Sequence, residues 1–319
     1  MLPIKVVVVG AGHLGGFHLQ KIAADDNAIL VAIVEPKLDK HHDLRQKYNV
    51  PIVESLNSFS GTANAAIIAS PTSTHLELGL AAFARGWHVL LEKPLAVTPA
   101  DGEKLVTAAQ QQGCLLQVGH IERYNPAVSA ALSVADQPGY IVTERLSPFS
   151  GRSTDVDVIL DLMIHDLDIV GALVAAPLVE ARAIGVPVLS HKVDMAAARL
   201  AFADGTVAQL SAGRASLEPS RKIRLFTKER YLSIDCQNRE VKSVRRLPPN
   251  PDSDWAQIEG EPINIQPGDP LALQDHDFLE SIINKRQPRV DGVAGLKALK
   301  LAAAVKEAMS IPTYSSTAK

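Results

Sequence analysis

Four ionisable side chains stand out by their spacing within a strongly apolar stretch. Residues 155–170 read Asp-Val-Asp-Val-Ile-Leu-Asp-Leu-Met-Ile-His-Asp-Leu-Asp-Ile-Val. A helix that is apolar almost all round belongs in an interior. Asp157, Asp161 and His165 fall at i, i+4 and i+8, and Asp168 follows three residues later, so the four share one face. Carboxylates and an imidazole are costly to bury unpaired, so this stripe must meet a polar partner, a metal or a cleft. Carboxylates around a single histidine, with no second histidine at i+4, make a poor zinc site, and no metal is expected.

Two further motifs carry chemistry. Gly10-Ala11-Gly12-His13-Leu14-Gly15 has the G-x-G-x-x-G spacing. Alone that is a weak signal, but a β-branched run precedes it and a helical stretch follows. Glycines there let the backbone approach a pyrophosphate, which the helix N-terminus attracts through open N–H groups. Glu35, about 20 residues past Gly15, sits where a carboxylate accepts ribose hydroxyls and repels a 2′-phosphate. NAD is therefore expected over NADP, with Lys37 the one nearby feature pulling the other way. The second motif is Glu92-Lys93-Pro94. A lysine at the end of an apolar run, just before a proline that fixes the turn, suits a functional position better than a solvated one. Glu92 reads as the ion-pair partner of Lys93.

The elements that must position these residues alternate. Ile4–Val9 and Ala28–Val34 are expected strands with a helix between them, followed by a strand at 65–69 and a helix at 73–85. A strand at 88–91, a helix starting at Thr98-Pro99-Ala100-Asp101 and ending at Gly113, and a strand at 115–118 complete the series. This is a doubly wound α/β pattern over residues 1–120, in which ligands sit at the carboxyl ends of the strands: Gly10, Glu35, Ser70, Glu92 and Gly119. Beyond it strands dominate, at 140–144, 179–186, 195–202, 207–215, 222–227, 231–235 and 240–245, with a hairpin turn at Ala203-Asp204-Gly205. Residues 247–270 read as a turn-rich connection, 271–285 and 292–308 as packing helices, and 313–319 as a disordered tail. His41, His42, His191 and His276 read as surface histidines.

With 319 residues the chain can build two domains. Its net charge of −3 is too near balance to expect nucleic-acid or membrane-surface partners. Cys114 and Cys236 form no Cys-x-x-Cys or zinc pattern, as expected of reduced thiols in the cytoplasm. The apolar run at the N-terminus stops at Gly10 and reads as a strand rather than a signal peptide. No run reaches the ~18 apolar residues of a membrane span.

In combination, Glu92-Lys93-Pro94 after one strand, Pro71 to His75 after another, and the Asp161/His165 helix resemble the glucose–fructose oxidoreductase, inositol dehydrogenase and rhizopine-catabolism (Gfo/Idh/MocA) family over nearly the whole chain. The resemblance implies an NAD(P)-binding Rossmann domain followed, over 121–319, by an α/β domain with an open, mostly antiparallel sheet that commonly packs on a second subunit. It implies Lys93 beside the nicotinamide and the Asp161/His165 pair facing it, with Ser70, Pro71, Thr72 and His75 on the cofactor side. The family often has glycines before the aspartate, where this chain has Val158-Ile159-Leu160. Gly119-His120-Ile121-Glu122-Arg123-Tyr124-Asn125-Pro126 and the wording around His165 resemble members acting on nucleotide-linked amino sugars such as UDP-N-acetylglucosamine, oxidised at C3.

The expected reaction moves hydride from a secondary alcohol to nicotinamide. Neutral imidazole suits a base near pH 7, so His165 takes the hydroxyl proton, Asp161 orients the ring, and Lys93 hydrogen-bonds the hydroxyl. Arg123, Tyr124 and Asn125 are candidates for substrate contact or, equally, for pinning the crossover. Asp157 is a candidate for sugar hydroxyls, whereas Asp168 reads as structural. Arg199, Arg214, Lys222, Arg224, Lys242, Arg245 and Arg246 read as a solvated sheet face, with Arg214 first in line for a diphosphate. A free polyol such as an inositol is the alternative substrate. A non-catalytic NAD-binding regulator is the third reading, and no residue favours it.

Overall fold

The computed structural model describes residues 2–37, 42–149, 156–248 and 255–312. Asp155, His41, part of the 247–270 connection and the 313–319 tail lie outside them. The chain divides into two compact units, Met1–Tyr124 with Gly268–Leu299, and Asn125–Pro267 with Lys300–Lys319. The first thus runs four residues past the expected crossover at 120 and takes in a late part of the chain.

In the first unit the order is β1 (Ile4–Val9), α1 (His13–Ala23), β2 (Ala28–Val34), α2 (His42–Tyr48), β3 (Ile52–Val53), β4 (Ala65–Ile68), α3 (His75–Phe83), β5 (His88–Glu92), α4 (Pro99–Gln111) and β6 (Leu116–Gly119). The six strands are ordered β3-β2-β1-β4-β5-β6, and every pairing is parallel. Such strands are covered on both faces and read as unbroken apolar runs. Accordingly Val6, Val7, Val8, Ala65, Ile67, Val89 and Leu90 are fully buried. Strand order reverses between β1 and β4, which places the Gly10 and Ser70 strand ends at the topological switch point. The expectation omitted β3 and α2: a two-residue strand and a polar helix with no buried residue carry almost no periodic signal.

The second unit starts with α5 (Pro126–Val134) and β7 (Pro138–Leu146). A π-helical turn (Ile159–Met163) then leads into α6 (Ile164–Leu173). Strands β8 (Leu178–Val186), β9 (Met195–Phe202), β10 (Val207–Gly213), β11 (Ser220–Thr227), β12 (Arg230–Asp235), β13 (Glu240–Arg246) and β14 (Ile258–Gly260) follow. The chain closes with α7 (Pro270–Ile283), α8 (Gly292–Glu307) and β15 (Met309–Ser310). The nine strands run β14-β13-β12-β11-β7-β10-β9-β8-β15, antiparallel except for the β7–β10 and β8–β15 pairs. Alternation along these strands buries one face, through Ile141, Leu200, Leu210, Ile223 and Leu232, against which α6 packs. The opposite face keeps Tyr140, Phe226 and Tyr231 in a row of touching rings.

The apolar stretch around His165 is helical but not uniformly so. Its helix begins at Val158 rather than 155, and its first turns are π-helical. Wider turns bring residues four apart closer to alignment along the axis than a 3.6-residue turn does. Asp161 lies within this turn and His165 in the first turn of α6. Ile159, Met163, Ile164, Leu167, Ile169 and Val170 are fully buried, whereas Asp161 and His165 are half-buried.

Candidate active site

The glycine loop of the first unit is shaped by its own backbone. Gly10 has φ +89°, and a Cβ there would meet the Ala69 carbonyl oxygen at 2.9 Å. A Cβ on Gly15 would sit 1.8 Å from the Gly10 carbonyl oxygen, so the turn excludes any side chain there. Gly12 differs, because nothing lies within 4 Å of its Cβ position. It caps α1 with no side-chain hydrogen bond, and no acidic residue follows in the first turn. Open N–H groups beside open space form an anion cradle. Leu14 is half-buried beyond it, and the exposed His13 ring stacks edge-on with Phe17 at 4.8 Å.

Beside the loop is a cleft of about 670 Å³, lined among others by Glu35, Lys37, Glu54, Ser70 and Thr74. Glu35 braces it: Oε2 accepts the Ala11 N–H at 2.9 Å and Oε1 that of Lys37 at 3.2 Å. Ser70 Oγ bonds Thr74 Oγ1 at 2.7 Å, and Thr74 Oγ1 donates to the Pro71 carbonyl at 2.8 Å, closing the short turn over Thr72–Thr74. The residues present therefore fit a dinucleotide: a cradle for the pyrophosphate and a carboxylate at the adenosine side.

His75, placed on the cofactor side by resemblance, is buried. Nδ1 lies 3.0 Å from the Pro94 carbonyl oxygen and Nε2 3.0 Å from that of Ser70. It therefore braces the loops after β4 and β5 against one another. Burial lowers its pKa.

Glu92 does not take the role expected of it. The carboxylate turns inward, where Oε1 meets His18 Nε2 at 3.1 Å and Gln274 Nε2 at 3.1 Å, while Oε2 accepts the Lys93 N–H at 3.3 Å. Gly119 leaves room for it: a Cβ there would lie 2.2 Å from Glu92 Oε1 and would push the carboxylate aside. Lys93 follows, half-buried, with a cis bond to Pro94. Its charge is felt by the fully buried His120 at the end of β6. Burial first, then Lys93 and Arg123, bring that imidazole down to about 3, so His120 is neutral.

The proposed substrate residues divide. Tyr124 is buried, donates to Asp277 Oδ2 at 2.8 Å and has the Arg289 guanidinium 5.0 Å from its ring centre. Burial and the Asp277 carboxylate push its phenol up. Half-buried Arg123 offers its carbonyl to Arg289 Nη1 at 3.0 Å. Asn125 caps α5 through the Ala127 N–H and donates to the Cys236 carbonyl at 2.8 Å. Asp157 caps the π turn through the Leu160 N–H at 3.1 Å and pairs with Lys306 at 2.8 Å. Arg214 is the clearest correction. Its guanidinium is buried, bonded to Asp194 at 2.9 Å and to the Val156 carbonyl at 3.0 Å, so it is an internal strut and not a diphosphate ligand. Tyr124 and Asn125 likewise direct their polar atoms into the fold, whereas Asp157 stays partly exposed beside Lys306.

The sequence reading missed three features: the His18–Glu92–Asp275 cluster, neutral His120, and a buried ion pair between Arg145 and Asp166 (Nη2–Oδ1 2.7 Å) that anchors α6 to β7. The signal for the first was present. Gln274 and Asp275 occupy the buried stripe of α7 between Leu271 and Phe278, and His18 sits beside Leu19 on the buried side of α1.

With this geometry in view, comparison with known proteins is decisive. Residues 4–120 match the model of an oxidoreductase family with an NAD-binding Rossmann fold. The UDP-N-acetylglucosamine 3-dehydrogenase of Acidithiobacillus ferrooxidans is 35% identical over 97% of this chain and 98% of its own. This chain belongs to the Gfo/Idh/MocA oxidoreductase family. A crystal form of the Acidithiobacillus enzyme superposes with a TM-score of 0.88 at 34% identity, over 97% of this chain and 98% of that one. The myo-inositol 2-dehydrogenase of Thermotoga maritima is 25% identical over 52% of this chain and 53% of that protein. As a member of the family, the protein is an NAD(P)-dependent oxidoreductase acting on CH–OH groups. Among the described residues no helix is long and apolar enough to cross a membrane.

Proposed function

We propose that this protein oxidises a secondary alcohol of a nucleotide-linked amino sugar, UDP-N-acetylglucosamine at C3, with NAD. The observation carrying this reading is the end-to-end similarity to the Acidithiobacillus enzyme, which spans both chains, whereas the inositol dehydrogenase from Thermotoga aligns with about half. NAD over NADP is supported by Glu35 at the adenosine side, with Glu54 and Glu77 lining the same cleft. A 2′-phosphate would meet that negative charge at close range.

When bound, NAD accepts hydride. The remaining work falls to side chains. Gly10, Gly12 and Gly15 would cradle the pyrophosphate, and Glu35 would receive the ribose hydroxyls. As the C–H bond breaks, the hydroxyl proton leaves to the imidazole of His165, and the carbonyl forms. Asp161 orients that imidazole and stabilises its charge, and Lys93 donates a hydrogen bond to the oxygen on which negative charge gathers. The open face of the second-unit sheet, with its Tyr140, Phe226 and Tyr231 rings, is proposed to meet a second copy of the chain.

The test is absorbance of reduced nicotinamide on mixing the purified protein with NAD or NADP and either UDP-N-acetylglucosamine or myo-inositol. Turnover with NAD and the nucleotide sugar is expected. Turnover with inositol alone would overturn the substrate, and a preference for NADP the cofactor.

A further inference from the structure

Beneath Lys93 lies a buried cluster that the reaction outlined above does not use. His18 is fully buried, with Nδ1 2.9 Å from each carboxylate oxygen of Asp275 and Nε2 3.1 Å from Oε1 of Glu92. Ionised carboxylates only accept hydrogen bonds, so the ring satisfies both neighbours when both its nitrogens carry protons. The Glu92 carboxylate is thereby gripped from α1 by His18 and from α7 by Gln274, while its other oxygen takes the Lys93 N–H. Gly119 leaves the room this carboxylate occupies.

We propose that His18 is a positioning residue for Lys93: as an imidazolium between Asp275 and Glu92, it fixes the Glu92 carboxylate and through it the backbone that presents Lys93. The proposal rests on the role given to Lys93 above. The groups facing His18 are Asp275 from α7 and Glu92 from β5, and the carboxylate of Asp25 acts in turn on Asp275. Burial opposes a charged ring, but the two carboxylates outweigh it and carry the His18 pKa up to about 10. The site is thus a buried cation shared by two acids. Neutralising it leaves Glu92 facing Asp275 with no charge between them, so the carboxylate is repelled and held only by Gln274 and the Lys93 N–H.

The test separates positioning from mere stabilisation. Nitrogen-15 NMR of histidine-labelled wild type reads the ring directly, and competitive acetylation with acetic anhydride, followed by peptide mass spectrometry, reads the reactivity of the Lys93 amine against Lys104. Both nitrogens of His18 should remain protonated at pH 8.5. In His18→Gln and Asp275→Asn, Lys93 reactivity should shift while Lys104 holds, and kcat should fall roughly 10²-fold with NAD affinity retained. A His18 ring already neutral at pH 8.5 overturns the proposal, as does a variant with lowered melting temperature but unchanged Lys93 reactivity and kcat. Should neither variant fold, wild-type labelling from pH 7 to 10.5 decides: a step in Lys93 reactivity at the His18 titration supports the proposal, and its absence contradicts it. If wild type fails to turn over UDP-N-acetylglucosamine, the substrate reading fails, while the NMR and labelling outcomes still decide the role of His18.

Discussion

Arg214 Nε lies 2.9 Å from Asp194 Oδ1, with both side chains buried inside the second unit. The carboxylate also receives the N–H groups of Val188, Leu189 and Ser190 at 2.9, 2.6 and 2.7 Å, and the Ser190 hydroxyl at 2.7 Å. Burial works against its charge, but these donors hold the carboxyl far below its usual range. The guanidinium passes the constraint on to the Val156 carbonyl, just before the helix that carries Asp161 and His165.

Breaking this pair strands a buried charge. Arg214→Ala should therefore cost about 3–5 kcal/mol in denaturant unfolding. A diphosphate-binding arginine would instead raise KM and leave the unfolding midpoint almost unmoved.

Stability should fall on the alkaline side. The His18 pKa is raised in the folded state, from 6.5 to about 10. Its contribution is therefore complete below pH 6.5 and is lost as pH rises through 10. His120 works in the other direction: lowered to about 3, its contribution is complete above pH 6.5 and is lost as pH falls towards 3. Melting temperatures measured from pH 7 to 10 should decline in wild type and run flatter, from a lower start, in His18→Gln. An equal slope in both would contradict the buried imidazolium.

Gly15→Ala should abolish cofactor binding, since the added carbon would lie 1.8 Å from the Gly10 carbonyl oxygen and only a displaced loop can relieve that. Gly12→Ala meets no protein atom within 4 Å, so its fold should be intact while the pyrophosphate site is narrowed. Isothermal titration with NAD, beside melting temperatures, distinguishes the two: Gly12→Ala should lose affinity without losing stability.

Glu35→Ala should weaken NAD and relax discrimination against NADP, because the carboxylate braces the Ala11 and Lys37 backbone and, in the proposed reading, would repel a 2′-phosphate. The ratio of kcat/KM for the two cofactors measures this. An unchanged ratio would transfer the preference to Glu54 or Glu77.

What could be read in the sequence follows a physical pattern. Buried parallel strands such as Ile4–Val9 and the alternating strands of the second sheet announce themselves by period, and Gly10 to Gly15 by the turn that only glycine can make. Lys93 and Glu92 were visible as a pair, but not the direction of Glu92, which is set by His18, 74 positions earlier, and Gln274, 182 later. Arg214 looked like one basic residue among several along a sheet, because a buried arginine and a solvated one have the same letter. The π turn at Ile159–Met163 was equally hidden, since its residues are ordinary helix formers and only the hydrogen-bond spacing differs.

Hydride transfer from C3 can be followed by a single atom. UDP-N-acetylglucosamine deuterated at C3 is incubated with the protein and NAD, and the reduced cofactor is weighed by mass spectrometry. One deuterium is expected in the reduced nicotinamide, with transfer lost in Lys93→Met and reduced by about 10²–10⁴-fold in His165→Ala. Reduced cofactor without deuterium would place the oxidation at another carbon, and full transfer by both variants would remove Lys93 and His165 from the chemistry.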